Sequence, residues 1–492
     1  MPEPIDLATF VKAYDVRGLV PDQLNPRVAR ALGSAFATVV AVPEGAREVV
    51  VGEDMRPSSP ELARAFADGV AEHGVDVRLI GLCSTDGLYY ASGVRDVPGA
   101  MFTASHNPAT YNGIKLCRAG ARPIGQDTGL DEIRRRAQAL LDGGLDSGLD
   151  GGEDNEPDGS TGTIVAADEL GGYAEHLRTL VDLTAPQRRA PLRVVVDAGN
   201  GMAGLTVPAV LQDAAGLAAL PLEVIPLYFE LDGTFPNHEA NPLEPANLVD
   251  LQAAVREHGA DLGLAFDGDA DRCFVVDEQG RAVSPSAITG LVATREIARA
   301  RASGADPGTL AVVYNVISSR AVPEVIAEAG ARGVRTRVGH SFIKAEMAEH
   351  DALFGGEHSA HYYFRDFWFA DTGMLAALHV LAALGEQEGP LSELVAEFDR
   401  YVASGELNTR VASQADTLAR VRAFAEQRGL AIDELDGLTA THEPGDDGPL
   451  WWFNVRGSNT EPLLRLNVEA ADAATMTRVR DELLALIQEG AA

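Results

Sequence analysis

The chain has 492 residues, of which 46% are apolar, so it is long enough for about three or four globular domains. It carries 40 basic and 73 acidic residues, a net charge of −33, and this acidic balance argues against nucleic-acid binding. No apolar run approaches the roughly 18 residues of a membrane span, and the opening residues lack the features of a signal peptide. We therefore expect a soluble, cytoplasmic protein without a nucleic-acid or membrane partner.

Three segments of the chain follow the same α/β order of apolar strand, polar loop and helix. They begin near Arg47, Leu192 and Thr309. In the first segment, Ser59 is predicted to cap a helix, and Leu62, Phe66 and Val70 to share its buried face. The sequence therefore predicts three similar α/β modules.

The last hundred residues have a different pattern. Leu464, Leu466 and Val468 alternate with polar residues, which is the period of a half-buried strand. The helix-like segment "LSELVAEFDRYVAS" precedes this strand, so we predict a smaller C-terminal α+β domain. Cys83, Cys117 and Cys273 lie far apart without CxxC spacing, which predicts reduced thiols rather than disulfides or a zinc site.

A polar loop, "TASHNP" at 103–108, directly follows the apolar run "GAMF". A serine hydroxyl is a weak nucleophile until a base, a metal or a phosphoryl group changes its chemistry. The same hexapeptide is also compatible with a plain Asn-Pro turn that closes a buried strand. Ser105 is therefore a candidate nucleophile whose partner must be found elsewhere in the chain.

The strongest chemical signal is "LAFDGDADRC" at 264–273, which places Asp267, Asp269 and Asp271 alternately on a short loop after a strand. Three carboxylates in one small volume repel each other unless a cation lies between them, and hard oxygen ligands favour Mg²⁺. A structural or calcium-binding loop is the alternative. An EF-hand needs a longer loop with a helix on each side, whereas a second strand follows here at once. The pattern favours a catalytic metal.

Two further loops offer polar groups that could bind hydroxyls or a phosphate. In "GGEHSAHYYF" at 355–364, Glu357 and Ser359 are two residues apart, so in an extended segment both point the same way and could bind neighbouring hydroxyls. The loop "RGSNTEP" at 456–462 is either a phosphate-binding nest or a plain hairpin turn. Its candidate donors are Arg456, Ser458, Asn459 and Thr460.

Together, these four loops resemble those of the α-D-phosphohexomutases, most closely the bacterial phosphomannomutase/phosphoglucomutase branch. In family order, they resemble the phosphoserine loop, the metal loop, the sugar loop and the phosphate loop. The segments "KAYDVRG" at 12–18 and "NGIK" at 112–115 also resemble family segments, which implies active-site roles for Tyr14, Arg17 and Lys115.

The resemblance implies a phosphoryl transfer through Ser105. The phosphoserine would pass its group to a hexose 1- or 6-phosphate, and the resulting hexose 1,6-bisphosphate, which also serves as activator, would return its other phosphate. Mg²⁺ would be held by Ser105 together with the three aspartates named above. Arg17 and Arg272 would offset the negative charge of the transferring phosphoryl group. Lys115, with His106 or His340 as alternatives, would act as general acid or base.

The resemblance also implies four domains around a central active-site cleft. Their predicted ranges are 1–162 for the phosphoserine loop, 163–282 for the metal, 283–388 for the sugar and 389–492 for the distal phosphate. The first range ends in a Gly- and Asp-rich stretch at 142–162, predicted to be a flexible linker. The implied substrate contacts are Tyr14, Arg17, Arg272, Arg337, Gly339, His340, Glu357, Ser359, His361, Arg456, Ser458, Asn459, Thr460 and Arg465.

The sequence departs from the family pattern in the third module. Ile317 stands where many relatives carry lysine, so a substrate contact is lost or is supplied by Arg320 or Arg337. His358 and Ala360 also replace residues common in the sugar loop. These departures affect the choice of sugar more than the reaction.

The expected partners are small phosphosugars, those of mannose and also of glucose, and the expected assembly is a monomer or small homo-oligomer. One alternative is a phosphoglucosamine mutase. Another is a phosphatase of the haloacid dehalogenase type, in which an aspartate of the enzyme itself becomes phosphorylated. A third is a phosphosugar-binding protein without catalysis.

Overall fold

The structure is a computed structural model and describes residues 5–143, 161–183, 191–445, 448–457 and 463–489. Most of the predicted linker, 144–160, lies outside the described residues. The described residues fall into two compact units. The first contains those of 1–283 with His361–Ser392, and the second contains Ser284–Ala360 with those of 393–492.

The first module of the first unit is a mixed sheet covered by helices. Its strands are β1 (Val16–Leu19), β2 (Glu48–Glu53), β3 (Asp76–Leu82), β4 (Gly99–Phe102), β5 (Tyr111–Arg118), β6 (Arg122–Pro123) and β7 (Ile164–Ala166). Its helices are α1 (Pro26–Phe36), α2 (Ser59–Ala71), α3 (Thr85–Arg95) and α4 (Leu130–Gly143). The strand order is β1-β5-β4-β2-β3-β7, with β6 beside β5. Parallel pairing of β2 with β3 and β4 brings the loops after β2 and β4 to the same edge.

Helix α2 packs on this sheet as its apolar spacing predicts, since Leu62, Phe66 and Val70 are all buried. The prediction that Ser59 caps the helix is wrong. Ser59 is the first residue of the helix, and its hydroxyl donates to Asp54 Oδ1 at 2.6 Å. A buried carboxylate needs such donors, so Asp54 takes the hydroxyl that a cap would use.

The second module of the same unit has a mixed sheet in the order β12-β11-β10-β8-β9. Its strands are β8 (Leu192–Asp197), β9 (Leu222–Leu227), β10 (Leu262–Phe266), β11 (Cys273–Asp277) and β12 (Ala282–Val283). Its helices are α5 (Leu170–Leu180), α6 (Ala203–Leu211) and α7 (Val249–His258). Strands β10 and β11 are antiparallel, and Phe266 faces Cys273 across the pair. The aspartate loop is therefore the turn of this buried hairpin.

The third module contributes to both units. Its elements are α8 (Pro285–Ala302), β13 (Ala311–Asn315), α9 (Ala321–Glu328), β14 (Arg332–Thr336), α10 (His340–His350), β15 (Phe354–Gly356), β16 (Tyr362–Phe364), β17 (Ala370–Asp371), α11 (Gly373–Gly385) and α12 (Leu391–Ala396). In the second unit, β13 pairs in parallel with β14 and β15. In the first unit, β16 and β17 form an antiparallel pair.

The C-terminal module is an antiparallel sheet with two helices. Its elements are β18 (Val402–Arg410), α13 (Gln414–Gln427), β19 (Ala431–Asp433), β20 (Leu438–His442), β21 (Trp451–Gly457), β22 (Leu463–Ala470) and α14 (Ala473–Gln488). The strand order is β18-β22-β21-β20-β19. Leu464, Leu466 and Val468 of β22 lie in its apolar core, as their alternation predicts.

Hydrogen bonds within the second unit join this sheet to the third module. The backbone N–H of Arg320 donates to Glu469 Oε1 at 2.8 Å, and that of Val338 donates to Asp436 Oδ2 at 2.9 Å.

The prediction of three α/β modules followed by an α+β domain is confirmed. The three cysteines are free and buried. Among the described helices, none is long and apolar enough to cross a membrane.

Candidate active site

The serine loop begins where β4 ends. Ser105 is buried and has a φ of 51°, in the left-handed region that residues with a Cβ rarely adopt. Its backbone N–H donates to Thr103 Oγ1 at 2.9 Å, and its hydroxyl donates to Asp267 Oδ2 at 2.8 Å. The partner of this hydroxyl is therefore Asp267, the first carboxylate of the aspartate loop.

The three predicted metal ligands converge as their spacing predicts. Oxygen atoms of Asp267, Asp269 and Asp271 lie within 4.8 Å of one another, and all three residues are buried. Gly268 lets this loop approach the serine loop closely, since a Cβ there would lie 2.4 Å from the carbonyl oxygen of Ser105. The two loops are thus packed backbone against backbone.

Two cations neutralise much of the carboxylate charge. Arg272 Nε donates to Asp267 Oδ2 at 2.8 Å. Lys115 Nζ donates to Asp269 Oδ2 at 2.6 Å and to Asp271 Oδ2 at 2.5 Å. Lys115 reaches the carboxylates from β5, which pairs with β4 directly before the serine loop.

Burial and these neighbours shift the pKa values of Asp267 and Asp269 in opposite directions. Burial raises the pKa of Asp267 to about 7, with Asp271 and Asp269 adding to the effect and Arg272 opposing it. Burial alone would also raise the pKa of Asp269, but the Lys115 ammonium holds it below its usual range. In return, the carboxylates raise the pKa of Lys115 well above its ordinary value, against the effect of burial. Lys115 is therefore an ammonium ion in this arrangement.

His106 lies beside the serine hydroxyl, with its Nδ1 atom 3.2 Å from Ser105 Oγ. Arg272 Nη2 donates to the same Nδ1 atom at 2.6 Å, and because arginine has no acceptor, Nδ1 must be unprotonated. Burial, followed by the charges of Arg272 and Arg17, lowers the pKa of His106 well below its ordinary value. The ring is therefore neutral.

The N-terminal residues named from the family resemblance also reach this cluster. Arg17 lies on β1 opposite Gly113 of β5. Its side chain donates to Asp15 Oδ2 at 2.7 Å and to Asn107 Oδ1, in the serine loop, at 2.5 Å. Tyr14 is half-buried in the bend that precedes β1.

Three polar residues around this cluster, Thr85, Asp371 and Arg56, were not found from the sequence. Thr85 Oγ1, at the start of α3, donates to Asp269 Oδ2 at 2.6 Å. His361, predicted only as a substrate contact, has Nδ1 3.0 Å from Asp371 Oδ2 and 3.9 Å from Asp271 Oδ1. Arg56, on the loop between β2 and α2, donates to backbone carbonyl oxygens of the serine loop. No local motif marks Thr85 or Asp371, because only the topology brings them to the aspartate loop.

Two arginines of the second unit that are candidates for binding a phosphate lie on neighbouring strands. Arg456 of β21 is directly opposite Arg465 of β22. Glu406 of β18 accepts from Arg456 Nη2 at 2.5 Å and from Arg465 Nη1 at 3.2 Å. Together these three residues form the arginine pair with its bridging glutamate. The predicted donors Ser458, Asn459 and Thr460 lie outside the described residues.

The sugar loop follows β15 in the second unit. Glu357 is buried and lies 3.4 Å from Asn315 Nδ2, while Ser359 is half-buried. His358 Nδ1 lies 3.3 Å from Ser286 Oγ. The loop ends at Ala360 with a φ of 64°.

The remaining predicted contacts lie before and in α10. His340 is the first residue of that helix, and Gly339 precedes it with a φ of 134° that favours glycine. Arg337 is exposed and donates to the carbonyl oxygen of Leu435 at 3.2 Å.

Ile317 is buried. Arg320, the other arginine predicted to replace the family lysine, also has partners. The Arg320 side chain lies 3.4 Å from Glu443 and 3.6 Å from Glu324. Replacement of the family lysine by Arg320 or Arg337 would therefore require these arginines to leave their present partners.

Comparison with known proteins follows the same division into modules. Models of the phosphoglucomutase/phosphomannomutase family match the three alpha/beta/alpha domains at residues 9–142, 171–280 and 285–401, and the C-terminal domain at 406–486. A phosphomannomutase of Escherichia coli is 38% identical over 483 residues, which are 98% of this chain and 99% of that protein. A protein named phosphohexose mutases from Xanthomonas campestris is 39% identical over 481 residues, 97% of this chain and 99% of that protein.

The solved structures agree. A phosphoglucomutase/phosphomannomutase family protein from Burkholderia thailandensis superposes with a TM-score of 0.82 at 30% identity, covering 98% of this chain and 97% of the other. Fold, site and relatives together define an isomerase that acts on hexose phosphates. The chain belongs to the phosphoglucomutase/phosphomannomutase family.

Proposed function

We propose that this chain interconverts the 6-phosphate and the 1-phosphate of mannose, and also of glucose, through a phosphoserine on Ser105 and a hexose 1,6-bisphosphate. The observation that carries the proposal is the direct hydrogen bond of Ser105 Oγ to Asp267 Oδ2 at 2.8 Å, inside a buried cluster of three carboxylates. A buried serine has no structural need for three convergent acids. A phosphoryl group that is repeatedly attached and removed does need a charged, water-poor site.

The donor set fits Mg²⁺. Asp269 Oδ1 and Asp271 Oδ1 are buried and have no hydrogen-bond partner among the described residues, although buried carboxylate oxygens normally have one. Hard oxygen ligands of this kind suit a small divalent cation. The three aspartates and the phosphorylated Ser105 would hold the ion. When bound, Mg²⁺ offsets negative charge on the transferring phosphoryl group.

The chain's own residues account for the rest of the transfer. A hydroxyl oxygen of the sugar phosphate forms a bond to phosphorus as the bond from Ser105 Oγ to phosphorus breaks. The sugar hydroxyl loses its proton to a base, and Ser105 Oγ gains a proton from an acid and becomes a hydroxyl again. The second half-reaction returns the other phosphate to Ser105. Arg272 and Arg17 supply fixed positive charge next to the serine loop.

The proposed acid–base groups differ in their surroundings. His106 is neutral and its Nδ1 atom lies 3.2 Å from Ser105 Oγ, but this atom would have to release the N–H of Arg272 before it could take a proton from that oxygen. Lys115 is an ammonium held by two carboxylates, and it would have to leave these carboxylates to act as a proton donor. His340 belongs to the second unit and remains the third proposal.

We assign the recognition of the substrate's remaining groups to the second unit. Arg456 and Arg465 carry paired positive charge for the phosphate that does not react, with Ser458, Asn459 and Thr460 as proposed neighbours. Glu357 and Ser359 are proposed to bind sugar hydroxyls. Mannose and glucose differ only at C2, so contacts to C3 and C4 would serve both sugars.

The test is a turnover assay with mannose, glucose and glucosamine 1-phosphates, each with a catalytic amount of glucose 1,6-bisphosphate. We expect formation of mannose and glucose 6-phosphates that depends on the bisphosphate. A preference for glucosamine 1-phosphate would instead identify a phosphoglucosamine mutase. Release of inorganic phosphate without isomerisation would identify a phosphatase, and binding without turnover would identify a phosphosugar-binding protein.

A further inference from the structure

Arg56, which the sequence places among turn residues between β2 and α2, is one of the most completely bonded side chains of the first unit. Its side chain is fully buried. Its Nε–H donates to Asp54 Oδ2 at 3.2 Å. The other four N–H groups donate at 2.7–2.9 Å to the backbone carbonyls of Ser105, Asn107, Pro108 and Tyr111. All five guanidinium donors are therefore used.

These four carbonyls belong to one stretch of seven residues, 105–111, which contains most of the serine loop. Two of them, those of Ser105 and Asn107, are bound by the same nitrogen, Nη2. A single planar cation thus fixes the direction of peptide groups along the whole loop. Lysine could not replace it, since an ammonium has three donors and no fixed fork.

The contact matters for chemistry because of the conformation of Ser105. Its left-handed φ of 51° persists only if the surroundings hold it. Arg56 holds the carbonyl oxygen of Ser105 while Asp267 receives its hydroxyl, so the two ends of the residue are fixed independently. Gly268 packs on the same carbonyl, which ties the position of that oxygen to the aspartate loop.

Arg56 is itself held in place by buried partners. Asp54 Oδ1 accepts the backbone N–H of Arg56 at 3.0 Å and the hydroxyl of Ser59 at 2.6 Å. The Phe235 ring lies 5.1 Å from the guanidinium carbon. Gly233 leaves room for the backbone, since a Cβ there would lie 2.5 Å from Arg56 Cα.

We propose that Arg56 is a positioning residue for the phosphoryl transfer: by binding four carbonyls of the serine loop it sets the Ser105 oxygen at the aspartate cluster. The inference rests on the proposed phosphoserine function. Arg56 donates all its N–H groups to protein atoms, so it acts through the loop and not on the sugar. Its loss should therefore lower kcat and leave KM for the sugar phosphate nearly unchanged.

The test uses Arg56→Lys and Arg56→Gln in the full-length protein, with Arg64→Gln as matched control. Arg64 lies on α2, 59% exposed, and pairs only with Asp68 among the partners described for it. For each protein, the measurements are the thermal midpoint, kcat and KM for mannose 1-phosphate, and the rate at which glucose 1,6-bisphosphate phosphorylates Ser105. Values are compared per folded molecule.

We expect both Arg56 variants to lose about 100-fold in kcat and in the phosphorylation rate, as a misplacement of about 1 Å would cause, with KM within about twofold. Arg64→Gln should match the wild type. A kcat per folded molecule equal to the wild-type value in either Arg56 variant would overturn the inference, because Arg56 would then serve stability alone.

Two further outcomes are separable. If neither Arg56 variant folds, Asp54→Asn takes its place, since it keeps Arg56 and neutralises the carboxylate that orients it. A lower kcat at constant KM in this variant supports the inference, and an unchanged kcat overturns it. If the wild type itself neither turns over mannose 1-phosphate nor accepts a phosphoryl group, the proposed function has failed, and the inference fails with it.

Discussion

At Ser105, a left-handed backbone costs a residue with a Cβ roughly 1–2 kcal/mol, and the surroundings must supply at least this much. The hydroxyl is bound by Asp267, and the neighbouring oxygens of Asp269 and Asp271 are left without hydrogen-bond donors among the described residues. The left-handed backbone of Ser105 and the unpartnered carboxylate oxygens both lower the stability of the fold. A site that accepts a phosphoryl group and a cation would account for both.

Asp269 gives the first residue-scale prediction. Asp269→Asn keeps the shape and the oxygen that accepts from Thr85, but it removes one charge. Mg²⁺ affinity and turnover should fall together, turnover on the order of 100-fold, while the thermal midpoint stays close to that of the wild type. Titration of Mg²⁺ in activity assays measures both.

The matched control for Asp269 is Asp277→Asn. Asp277 is a buried carboxylate on β11 that pairs with Arg281 and is not part of the aspartate cluster. It should leave the Mg²⁺ requirement unchanged. An Asp269→Asn protein with wild-type Mg²⁺ affinity would show that this residue is not a ligand.

His238 gives a prediction about pH. Burial lowers its pKa, but the hydrogen bond and the charge of Asp197, 3.0 Å away, raise it by more, so the net shift is upward. A raised folded-state pKa contributes stability that is fully present below the unfolded pKa and is lost as pH rises through the folded pKa. The midpoint difference between wild type and His238→Gln should therefore be larger near pH 5 than near pH 9. An equal difference at both pH values would show that the Asp197 pair has no such effect.

At the scale of elements, strand register explains the arginine pair. Arg456 and Arg465 are directly opposite on β21 and β22, where like charges are unfavourable, and Glu406 on β18 bridges them. Glu406 thus stabilises the sheet. If the arginine pair binds phosphate as proposed, Glu406 also competes with that phosphate for the two guanidinium groups.

Replacing Glu406 by Gln separates these two effects. Without phosphate, the thermal midpoint should fall, because the arginines lose their counter-charge. Binding of inorganic phosphate, measured by calorimetry, should tighten by about tenfold, because the competing carboxylate charge is gone. Arg456→Ala should instead weaken phosphate binding, and it should raise both KM and the requirement for bisphosphate.

The control for Glu406 is Glu426→Gln, an exposed glutamate of α13 near Arg422. It should change neither quantity. Unchanged phosphate affinity in Glu406→Gln would mean that the arginine pair only joins strands.

The elements also show what the sequence could predict. The aspartate cluster can be predicted because all three aspartates lie on one five-residue stretch, so no tertiary information is needed. The pairing of His361 with Asp371 was not predicted, since it depends on the antiparallel β16 and β17 and on the approach of Asp271. Arg56 was missed because an arginine between turn residues usually extends into solvent. Ser59 was misread as a cap because the buried Asp54 that takes its hydroxyl is five residues away.

At the scale of the whole molecule, a protein with a net charge of −33 has to bind a doubly charged anion. The general field repels such a ligand, so local groups must supply the attraction. In the first unit, Arg17, Lys115 and Arg272 lie beside the serine loop, and in the second unit, the arginine pair lies on the C-terminal sheet. The acidic overall charge of the chain and anion binding by these local cations are therefore compatible.

The requirement for a metal is tested on the intact enzyme. Chelation should abolish turnover, because the transferring phosphoryl group then lacks the divalent cation that offsets its negative charge, and Mg²⁺ should restore it. Full activity after exhaustive chelation would rule out the metal assignment.

The most direct test of the account is to locate the phosphoryl group. The protein is incubated with glucose 1,6-bisphosphate, and its intact mass and its peptides are measured before and after addition of mannose 1-phosphate. We predict one phosphoryl group on the peptide that contains Ser105, lost to the sugar, and absent from an inactive Ser105→Ala variant. A phosphoryl group on Asp267, together with a fully active Ser105→Ala variant, would contradict the account.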